Sequence, residues 1–201
     1  MKLLSNIHTH STWCDGTDEP RELAERAIEL GFTDLGFSSH APTPFDPGCP
    51  GIRSEKEYRD DIAQIKGEYA GKVNISCGIE QDRLAPVNAM DYDYVIGSNH
   101  YVQLGQGSGA ARVPVDATPE ELEEAIASAY NGDALALARD FYAQTVAGVR
   151  ESRPAVVGHF DLLVKFNRDG RFFDETKKVY QALALEALDE TLDVLRGYGG
   201  L

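Results

Sequence analysis

The sequence has few cysteines, and their spacing matches neither a disulfide framework nor a thiolate metal site. Only Cys14, Cys49 and Cys77 occur, an odd number without a Cys-x-x-Cys pair. Small secreted domains held together by disulfides are therefore a poor match. We expect reduced thiols and a cytoplasmic protein.

Two further absences limit the partners of the chain. No stretch approaches the roughly 18 consecutive apolar residues that a membrane span needs, so we expect no membrane partner. Basic residues are also scarce, since 19 Lys and Arg stand against 33 Asp and Glu and give a net charge of −14. A chain this acidic repels a phosphate backbone, so we expect no binding to long nucleic acid. A small anionic substrate is compatible with this charge if metal ions supply local positive charge.

The remaining composition is that of an ordinary globular protein. The chain has 201 residues, of which 42% are hydrophobic and 26% charged, and this predicts a single domain over residues 1–201. Segments of strand character alternate with amphipathic helices, which predicts an α/β fold with a parallel sheet or barrel. The predicted strands are 3–8, 33–38, 73–79, 94–97 and 155–158, and the predicted helices lie near 19–30, 55–69, 119–130, 133–149 and 175–196.

All five histidines lie at the end of a predicted strand. In α/β folds of this kind, the chemistry is located at the carboxyl ends of the strands. His8 and His10 are two residues apart, so they point to the same side of a strand and can bind the same ion. Together with nearby carboxylates, the histidines form the set of candidate metal ligands: His8, His10, Asp15, His40, Glu80, His100 and His159.

Imidazole and carboxylate donors suit Zn, Mn or Fe. Seven donors exceed the needs of one ion, so we expect two or three divalent metal ions with a carboxylate such as Glu80 bridging them. Taken singly, each residue has a structural explanation: a buried histidine often satisfies a backbone group, Asp15 before Gly16 suits a turn, and Cys14 suits a buried thiol. The occurrence of the whole set at the strand ends favours a metal site.

The motifs that carry these residues resemble those of the PHP (polymerase and histidinol phosphatase) superfamily, and most closely its histidinol-phosphate phosphatases. The resemblance extends from residue 3 to about residue 196. It implies a distorted (β/α)₇ barrel with three metal ions at its C-terminal face. The motifs are 8–16 (HTHSTWCDG), 36–42 (GFSSHAP), 78–80 (GIE), 96–101 (IGSNHY) and 157–161 (VGHFD).

The resemblance also implies a role for each candidate residue. It implies hydrolysis of a small phosphorylated substrate, L-histidinol phosphate, to L-histidinol and phosphate in histidine biosynthesis. Metal ions would activate water and neutralise charge on the phosphoryl group. Asp161, or else a water molecule, is the candidate acid for the leaving alcohol. Residue by residue, the three ions are assigned to His8, His10 and Glu80; to Glu80, His100 and His159; and to Asp15 and His40.

Binding of the substrate's phosphate requires Arg or Lys side chains, and the sequence does not select among them. The segment 102–117 contains Gly105, Gly107 and Gly109, and it predicts a mobile loop over the mouth of the site. The basic candidates for phosphate binding are Arg53, Arg83, Arg112, Lys165 and Arg168.

One motif of the superfamily, a late Asp-x-His, is missing, because no histidine follows His159. Five strands also do not close a parallel barrel of this kind. We therefore expect an incomplete barrel, from a chain that lacks roughly two βα units, or ~60 residues, at its C-terminus. An open sheet edge would favour association with a second copy of the chain.

Two alternatives to a histidinol-phosphatase remain open. In the first alternative, the chain is another PHP phosphoesterase that acts on nucleotides. In the second, it is an inactive metal-binding remnant, because the Asp-x-His motif is absent. Faster turnover of a nucleoside monophosphate would favour the first alternative, and a fully active monomer would argue against the second.

Overall fold

The computed structural model of the chain describes residues 4–49, 51–105, 107 and 109–200. Residue 3, where the sequence predicts the first strand to begin, lies outside these residues. The chain divides into two compact units. The first unit comprises Met1–Gly97 and Pro154–Val156, and the second comprises Ser98–Arg153 and Val157–Leu201.

Parallel strands form the main sheet. Within the described ranges, five strands pair in the order β1-β2-β3-β4-β7, and β5 pairs with β6 in a separate two-stranded sheet. The prediction of an α/β fold with about five parallel strands is therefore confirmed. The strands are β1 (Ser5–Thr9), β2 (Asp34–Phe37), β3 (Asn74–Asp82), β4 (Tyr94–Ser98), β5 (Tyr101–Leu104), β6 (Ala111–Pro114) and β7 (Val156–Val157).

Each predicted helix is present, and local capping explains where two of them begin. At the first helix, the side chain of Glu22 accepts a hydrogen bond from the Glu19 backbone, which completes a capping box. At the second helix, the Ser54 hydroxyl accepts a hydrogen bond from the Glu57 N–H. The helices are α1 (Pro20–Leu30), α2 (Glu55–Glu68), α3 (Pro119–Ala129), α4 (Ala134–Ser152) and α5 (Lys178–Arg196).

None of the helices in the described part of the chain combines the length and the apolar character that crossing a bilayer requires. The longest of them, α4 and α5, have 19 residues each. Both carry charged residues along their length, for example Arg150 on α4 and Glu190 on α5, which form an ion pair at 2.8 Å.

In the first unit, helices pack on one face of the β1-β2-β3 sheet. Phe37 of β2, Ile79 of β3 and Tyr58 of α2 are fully buried in one hydrophobic cluster. Burial of each such side chain contributes about 1.5–3 kcal/mol to the free energy of unfolding. The Tyr58 hydroxyl also donates a hydrogen bond to the Gly78 carbonyl at 2.9 Å, which connects α2 to β3.

Tyr94 links the strands of this sheet across its opposite face. Its hydroxyl donates to the Ile7 carbonyl at 2.6 Å and lies 3.2 Å from the Phe37 carbonyl. The phenol ring passes over Gly36 of β2 and Gly78 of β3, and a Cβ atom at either glycine would overlap it. These two positions are therefore glycine because an aromatic side chain lies directly against the backbone.

In the second unit, α4 and α5 pack around a separate hydrophobic cluster. Leu137 and Phe141 of α4 and Leu163 are fully buried. The hydroxyls of Tyr142 on α4 and Tyr180 on α5 are 2.8 Å apart, so they form a buried hydrogen bond between the two helices.

The prediction of a mobile loop over 102–117 is wrong at residues 102–104 and 111–114, which lie in strands. These strands, β5 and β6, form an antiparallel hairpin in which Leu104 pairs with Ala111. The hairpin is fixed to α4, since the Gln103 N–H donates to the Gln144 side chain and the Gln144 amide donates back, both at 2.9 Å. Short alternating apolar residues on both sides of a glycine-rich turn are a hairpin signal, and the glycines occupy only the turn.

Candidate metal centre

A buried carboxylate is the centre of the candidate site in the first unit. Glu80 is 1% exposed, and its Oε2 atom is contacted by three imidazole nitrogens. The distances are 3.1 Å from His8 Nε2, 3.0 Å from His10 Nε2 and 3.3 Å from His40 Nδ1. The structure thus brings together three of the predicted histidines around the predicted bridging carboxylate.

Strand pairing explains how these side chains meet. His8 lies in β1 and His10 directly follows it, so the two rings point to the same side. His40 forms a parallel bridge with Glu80 beyond the end of β2. In this bridge the Glu80 N–H donates to the Ser39 carbonyl at 3.0 Å and the Ala41 N–H donates to the Glu80 carbonyl at 2.8 Å.

The loop after β1 folds back onto the site. The N–H groups of Cys14 and Gly16 both donate to the Ser11 carbonyl, at 2.9 and 3.1 Å. Gly16 lies so close to the Ser11 backbone that a Cβ atom there would overlap it. This tight turn returns Asp15 to the histidines, with Oδ1 at 3.0 Å from His10 Nδ1 and Oδ2 at 3.6 Å from His40 Nε2.

The contacts of Cys14 with the predicted ligands were not expected from the sequence. Its Sγ atom lies 3.3 Å from His10 Nδ1, and its thiol donates to Asp15 Oδ1 at 3.3 Å. The sulfur also interacts with the Ser39 side chain and the His40 backbone. The place of Cys14 directly before Asp15 does not by itself predict these contacts, because they depend on how the loop after β1 folds back.

The electrostatics of this cluster favour positive charge. Burial alone would lower the pKa of His10, but its contacts with Cys14 and Glu80 outweigh burial and raise that pKa to about 10. Burial would raise the pKa of the Asp15 carboxyl, but the hydrogen bond from Cys14 and the charges of His40 and His10 hold that pKa below its ordinary value. A divalent cation supplies positive charge to such a cluster without a proton.

The donor atoms fit a metal ion by chemistry and by spacing. In one group, donors from His10, His40 and Glu80 lie within 4.8 Å of one another, and in a second group the same holds for His10, Cys14 and Asp15. Imidazole and carboxylate donors of this kind suit Zn, Mn or Fe. The residues of the first unit therefore fit the divalent ions that the sequence predicts.

The second unit brings the other two predicted histidines together. The rings of His100 and His159 are 5.0 Å apart at an interplanar angle of 61°. His100 is buried, and its carbonyl accepts a hydrogen bond from Val115 N–H at 2.9 Å. The neighbouring Asn99 is anchored to α4, since its amide donates to the Phe141 carbonyl at 3.2 Å.

Asp161, the predicted catalytic acid, follows His159 in the second unit. Its side chain is exposed. Asp161 directly precedes the short 3₁₀ turn Leu162–Val164, and its side chain makes no hydrogen bond that caps this turn. The carboxyl group is therefore not committed to capping the turn. Its role as an acid stays a prediction.

Among the basic candidates for phosphate binding, Arg53 and Lys165 differ in their surroundings. Arg53 lines a cavity of about 840 Å³ in the first unit, and Cys14 of the metal cluster lines the same cavity. Lys165 is in the second unit and forms an ion pair with Asp116 at 3.3 Å. Arg53 therefore shares a cavity with one residue of the metal cluster, and a guanidinium group there suits a phosphate.

Comparisons with known proteins find similar sequences and similar folds. The model of the PHP domain family matches residues 6–200. A Deinococcus radiodurans relative named "Probable histidinol-phosphatase" is 31% identical over 179 residues, which are 83% of this chain and 64% of the relative. This chain therefore spans less than two thirds of that relative's length.

Two solved structures share the fold. The crystal structure of the hisK protein of Listeria monocytogenes has a TM-score of 0.74 at 23% identity and covers 96% of this chain and 79% of its own. The structure of a Lactococcus lactis histidinol phosphate phosphatase, complexed with Zn, L-histidinol and phosphate, has a TM-score of 0.60 at 22% identity. That match covers 95% of this chain and 68% of the Lactococcus chain.

Proposed function

Because this chain belongs to the PHP domain family, we propose that it is a metal-dependent phosphomonoester hydrolase that converts L-histidinol phosphate to L-histidinol and phosphate. The observation that carries this proposal is the contact of three imidazoles with the buried Glu80 carboxylate, at 3.0–3.3 Å. The choice of substrate is supported by the name of the Deinococcus relative and by the ligands of the Lactococcus structure. The reaction would belong to histidine biosynthesis.

We propose that two or three divalent ions are held by the residues that the sequence predicts. When bound, such ions supply a Lewis acid that polarises the phosphoryl group and lowers the pKa of water. The Zn in the Lactococcus structure supports the choice of a divalent ion. The proposed ligands are His8, His10, Asp15, His40 and Glu80 in the first unit and His100 and His159 in the second.

The residues around Glu80 would orient one another as well as bind ions. His10 Nε2 faces Glu80, and its Nδ1 lies 3.0 Å from Asp15 Oδ1. A carboxylate on the far nitrogen of a ligating histidine fixes the tautomer and the direction of the ring. In this way Asp15 would keep His10 Nε2 available for an ion.

Departure of the alcohol requires a proton, and we assign its delivery to Asp161. The side chain is exposed and does not cap the turn that it precedes, so it can give up a proton without loss of a capping hydrogen bond. A positioned acid of this kind typically contributes about 10²- to 10⁴-fold to the rate.

Phosphate release by the purified 201-residue chain tests this proposal. L-histidinol phosphate and a nucleoside monophosphate would be compared at equal concentration with Mn²⁺ or Zn²⁺, and each reaction would be repeated with a chelator. Chelator-sensitive release that is faster from L-histidinol phosphate supports the proposal. Faster release from the nucleotide would assign the chain to the nucleotide phosphoesterases of the family, and metal binding without any release would contradict a hydrolase.

We also propose a reducing, cytoplasmic location and association with a second copy. Cys14, Cys49 and Cys77 are all free thiols, as expected in a reducing compartment. β1 lies at one edge of the five-stranded sheet, and Leu4 and Ile7 beside that edge are 43% and 40% exposed. Light scattering of the purified chain would test the association, because a monomer at all concentrations would contradict it.

A further inference from the structure

Cys14 touches three of the proposed metal ligands, although the sequence predicts no role for it beyond that of a buried thiol. It lies against His10 and Asp15, and it interacts with the backbone of His40. We infer that Cys14 is a positioning residue of the metal centre, which acts through His10 and Asp15 without binding an ion itself. This inference rests on the proposed function, since it requires that His10 and Asp15 serve a metal ion.

The two nitrogens of His10 face different groups. Nε2 lies 3.0 Å from Glu80 Oε2, in the group of imidazoles that fits an ion. Nδ1 lies on the other side of the ring, 3.0 Å from Asp15 Oδ1 and 3.3 Å from Cys14 Sγ. With an ion on Nε2, the proton of the imidazole is on Nδ1, and its acceptor sets the direction of the ring.

Cys14 fixes that acceptor. Its thiol donates to the same Oδ1 atom of Asp15 that faces His10 Nδ1. Asp15 is otherwise a half-exposed side chain in a loop, with 48% of its surface accessible. A second donor on Oδ1 restricts the rotation of this carboxylate and therefore of the histidine that it holds.

The sulfur is itself anchored by the neighbouring strand. The backbone of Cys14 is held in the turn by the Ser11 carbonyl, and its sulfur interacts with the Ser39 side chain and the His40 backbone. Ser39 is fully buried. A chain of contacts thus runs from the end of β2 through Cys14 to Asp15 and His10, and it couples the positions of ligands from two strands.

The contacts of the sulfur with His10 and Asp15, at 3.3 Å each, have the length of hydrogen bonds to sulfur. Direct ligation is the rival role, because the donors of His10, Cys14 and Asp15 lie within 4.8 Å of one another. Direct ligation would require the ion to bind His10 through Nδ1, on the side of the ring away from Glu80. A spectroscopic test separates the two roles.

The experiment measures the Zn²⁺ affinity of the metal-free chain by competition with a chromophoric chelator. The variants are Cys14→Ala, Cys14→Ser and Cys14→Val, and the matched controls are Cys49→Ala and Cys77→Ala. We expect Cys14→Ala and Cys14→Val to weaken Zn²⁺ binding by about 10- to 100-fold, the usual effect of losing a partner behind a ligand. Cys14→Ser keeps a donor and an acceptor, so it should restore most of the affinity, and the controls should match the unmodified chain.

The Co²⁺-loaded chain provides the second measurement. If Cys14 acts through His10 and Asp15, the unmodified chain shows no thiolate-to-metal charge-transfer band, while Cys14→Ala alters the ligand-field bands of Co²⁺. A charge-transfer band that disappears in Cys14→Ala would make Cys14 a ligand and overturn the inference. Unchanged Zn²⁺ affinity in Cys14→Ala and Cys14→Val would overturn it as well.

These outcomes are distinct from failure of the proposed function. If the unmodified chain binds no Zn²⁺, both proposals fail. If it binds Zn²⁺ and hydrolyses L-histidinol phosphate but the Cys14 variants match it, only the positioning role fails. If Cys14→Ala does not fold, Cys14→Val still tests the Zn²⁺ affinity, and the Co²⁺ spectrum of the unmodified chain still decides whether Cys14 is a ligand.

Discussion

The two units of this chain present their candidate ligands in different ways. In the first unit, three imidazoles contact one oxygen of Glu80, a carboxylate that is 1% exposed. In the second unit, His100 and His159 lie ring to ring, and the nearby acid Asp161 is exposed. A carboxylate that is removed from water needs a compensating charge. The first unit therefore has the stronger intrinsic requirement for a cation.

The difference originates in the strand connections. β1, β2 and β3 are neighbours in the sheet and run parallel, so the residues at their carboxyl ends meet at one edge. His100 instead directly precedes the β5–β6 hairpin, and the Asn99 side chain beside it is held by α4. Its position depends on helix and hairpin packing more than on strand order.

The largest expected effect is that of Glu80→Gln. The substitution keeps the shape of the side chain and removes the charge that three histidines share, so we expect loss of tight Zn²⁺ binding and a fall in phosphatase activity of more than about 10³-fold, equivalent to ~4 kcal/mol. Zn²⁺ titration and phosphate release measure the two effects. Glu29→Gln makes the same chemical change at an exposed site on α1 and serves as the control. If Glu80→Gln still binds Zn²⁺ tightly, the first unit does not have the stronger requirement for a cation.

A smaller and more selective effect is expected for Asp161→Asn. If Asp161 protonates the leaving alcohol, the substitution should slow hydrolysis of L-histidinol phosphate by about 10²-fold. Hydrolysis of p-nitrophenyl phosphate should fall much less, because its leaving group is stable without a proton. Asp169→Asn, at another site in the second unit, is the control. An equal loss with both substrates would contradict the acid role and would indicate a role in binding.

The contrast between the units is sharpened by heating the metal-bound protein. Zn²⁺ at about 100 times its Kd should raise the free energy of unfolding by ~2.7 kcal/mol, which is a shift in Tm of about 5–11 °C for a chain of this size. His10→Gln should lose most of this shift, since His10 contacts both Glu80 and Asp15. His159→Gln should keep most of it. Equal losses in the two variants would show that the first unit does not dominate Zn²⁺ binding.

Much of the fold follows from the sequence because its periodicity and caps are local signals. The alternation of strands and helices predicts all five strands of the main sheet, and the helix predicted near 55–69 begins at Glu55, directly after its Ser54 cap. The ends of elements depend on tertiary contacts and were less accurate. β3 continues to Asp82 instead of stopping at Ile79, because pairing beyond β2 extends it, and Glu80 therefore lies inside the strand.

The site is predictable to the extent that it depends on strand ends. His8, His10 and His40 meet at Glu80 because the carboxyl ends of neighbouring parallel strands lie side by side. Predicting this meeting required only the order of the strands. The contacts of Cys14 were not predictable, since they depend on how the loop after β1 returns to the end of β2. No local signal specifies that return.

The smallest expected effects compare two tyrosine hydroxyls, one in each unit. The Tyr94 hydroxyl donates a hydrogen bond to the carbonyl of Ile7, the residue directly before His8. The Tyr180 hydroxyl forms a hydrogen bond with the Tyr142 hydroxyl inside the second unit. Removing either hydroxyl, in Tyr94→Phe or Tyr180→Phe, should lower the free energy of unfolding by about 1 kcal/mol, seen as a fall in Tm of about 2–4 °C. Only Tyr94→Phe releases a backbone group next to a proposed ligand, so only this variant should also weaken Zn²⁺ binding. If Tyr180→Phe weakens Zn²⁺ binding as much as Tyr94→Phe does, then the packing of the second unit controls the metal centre as strongly as the strand that carries His8.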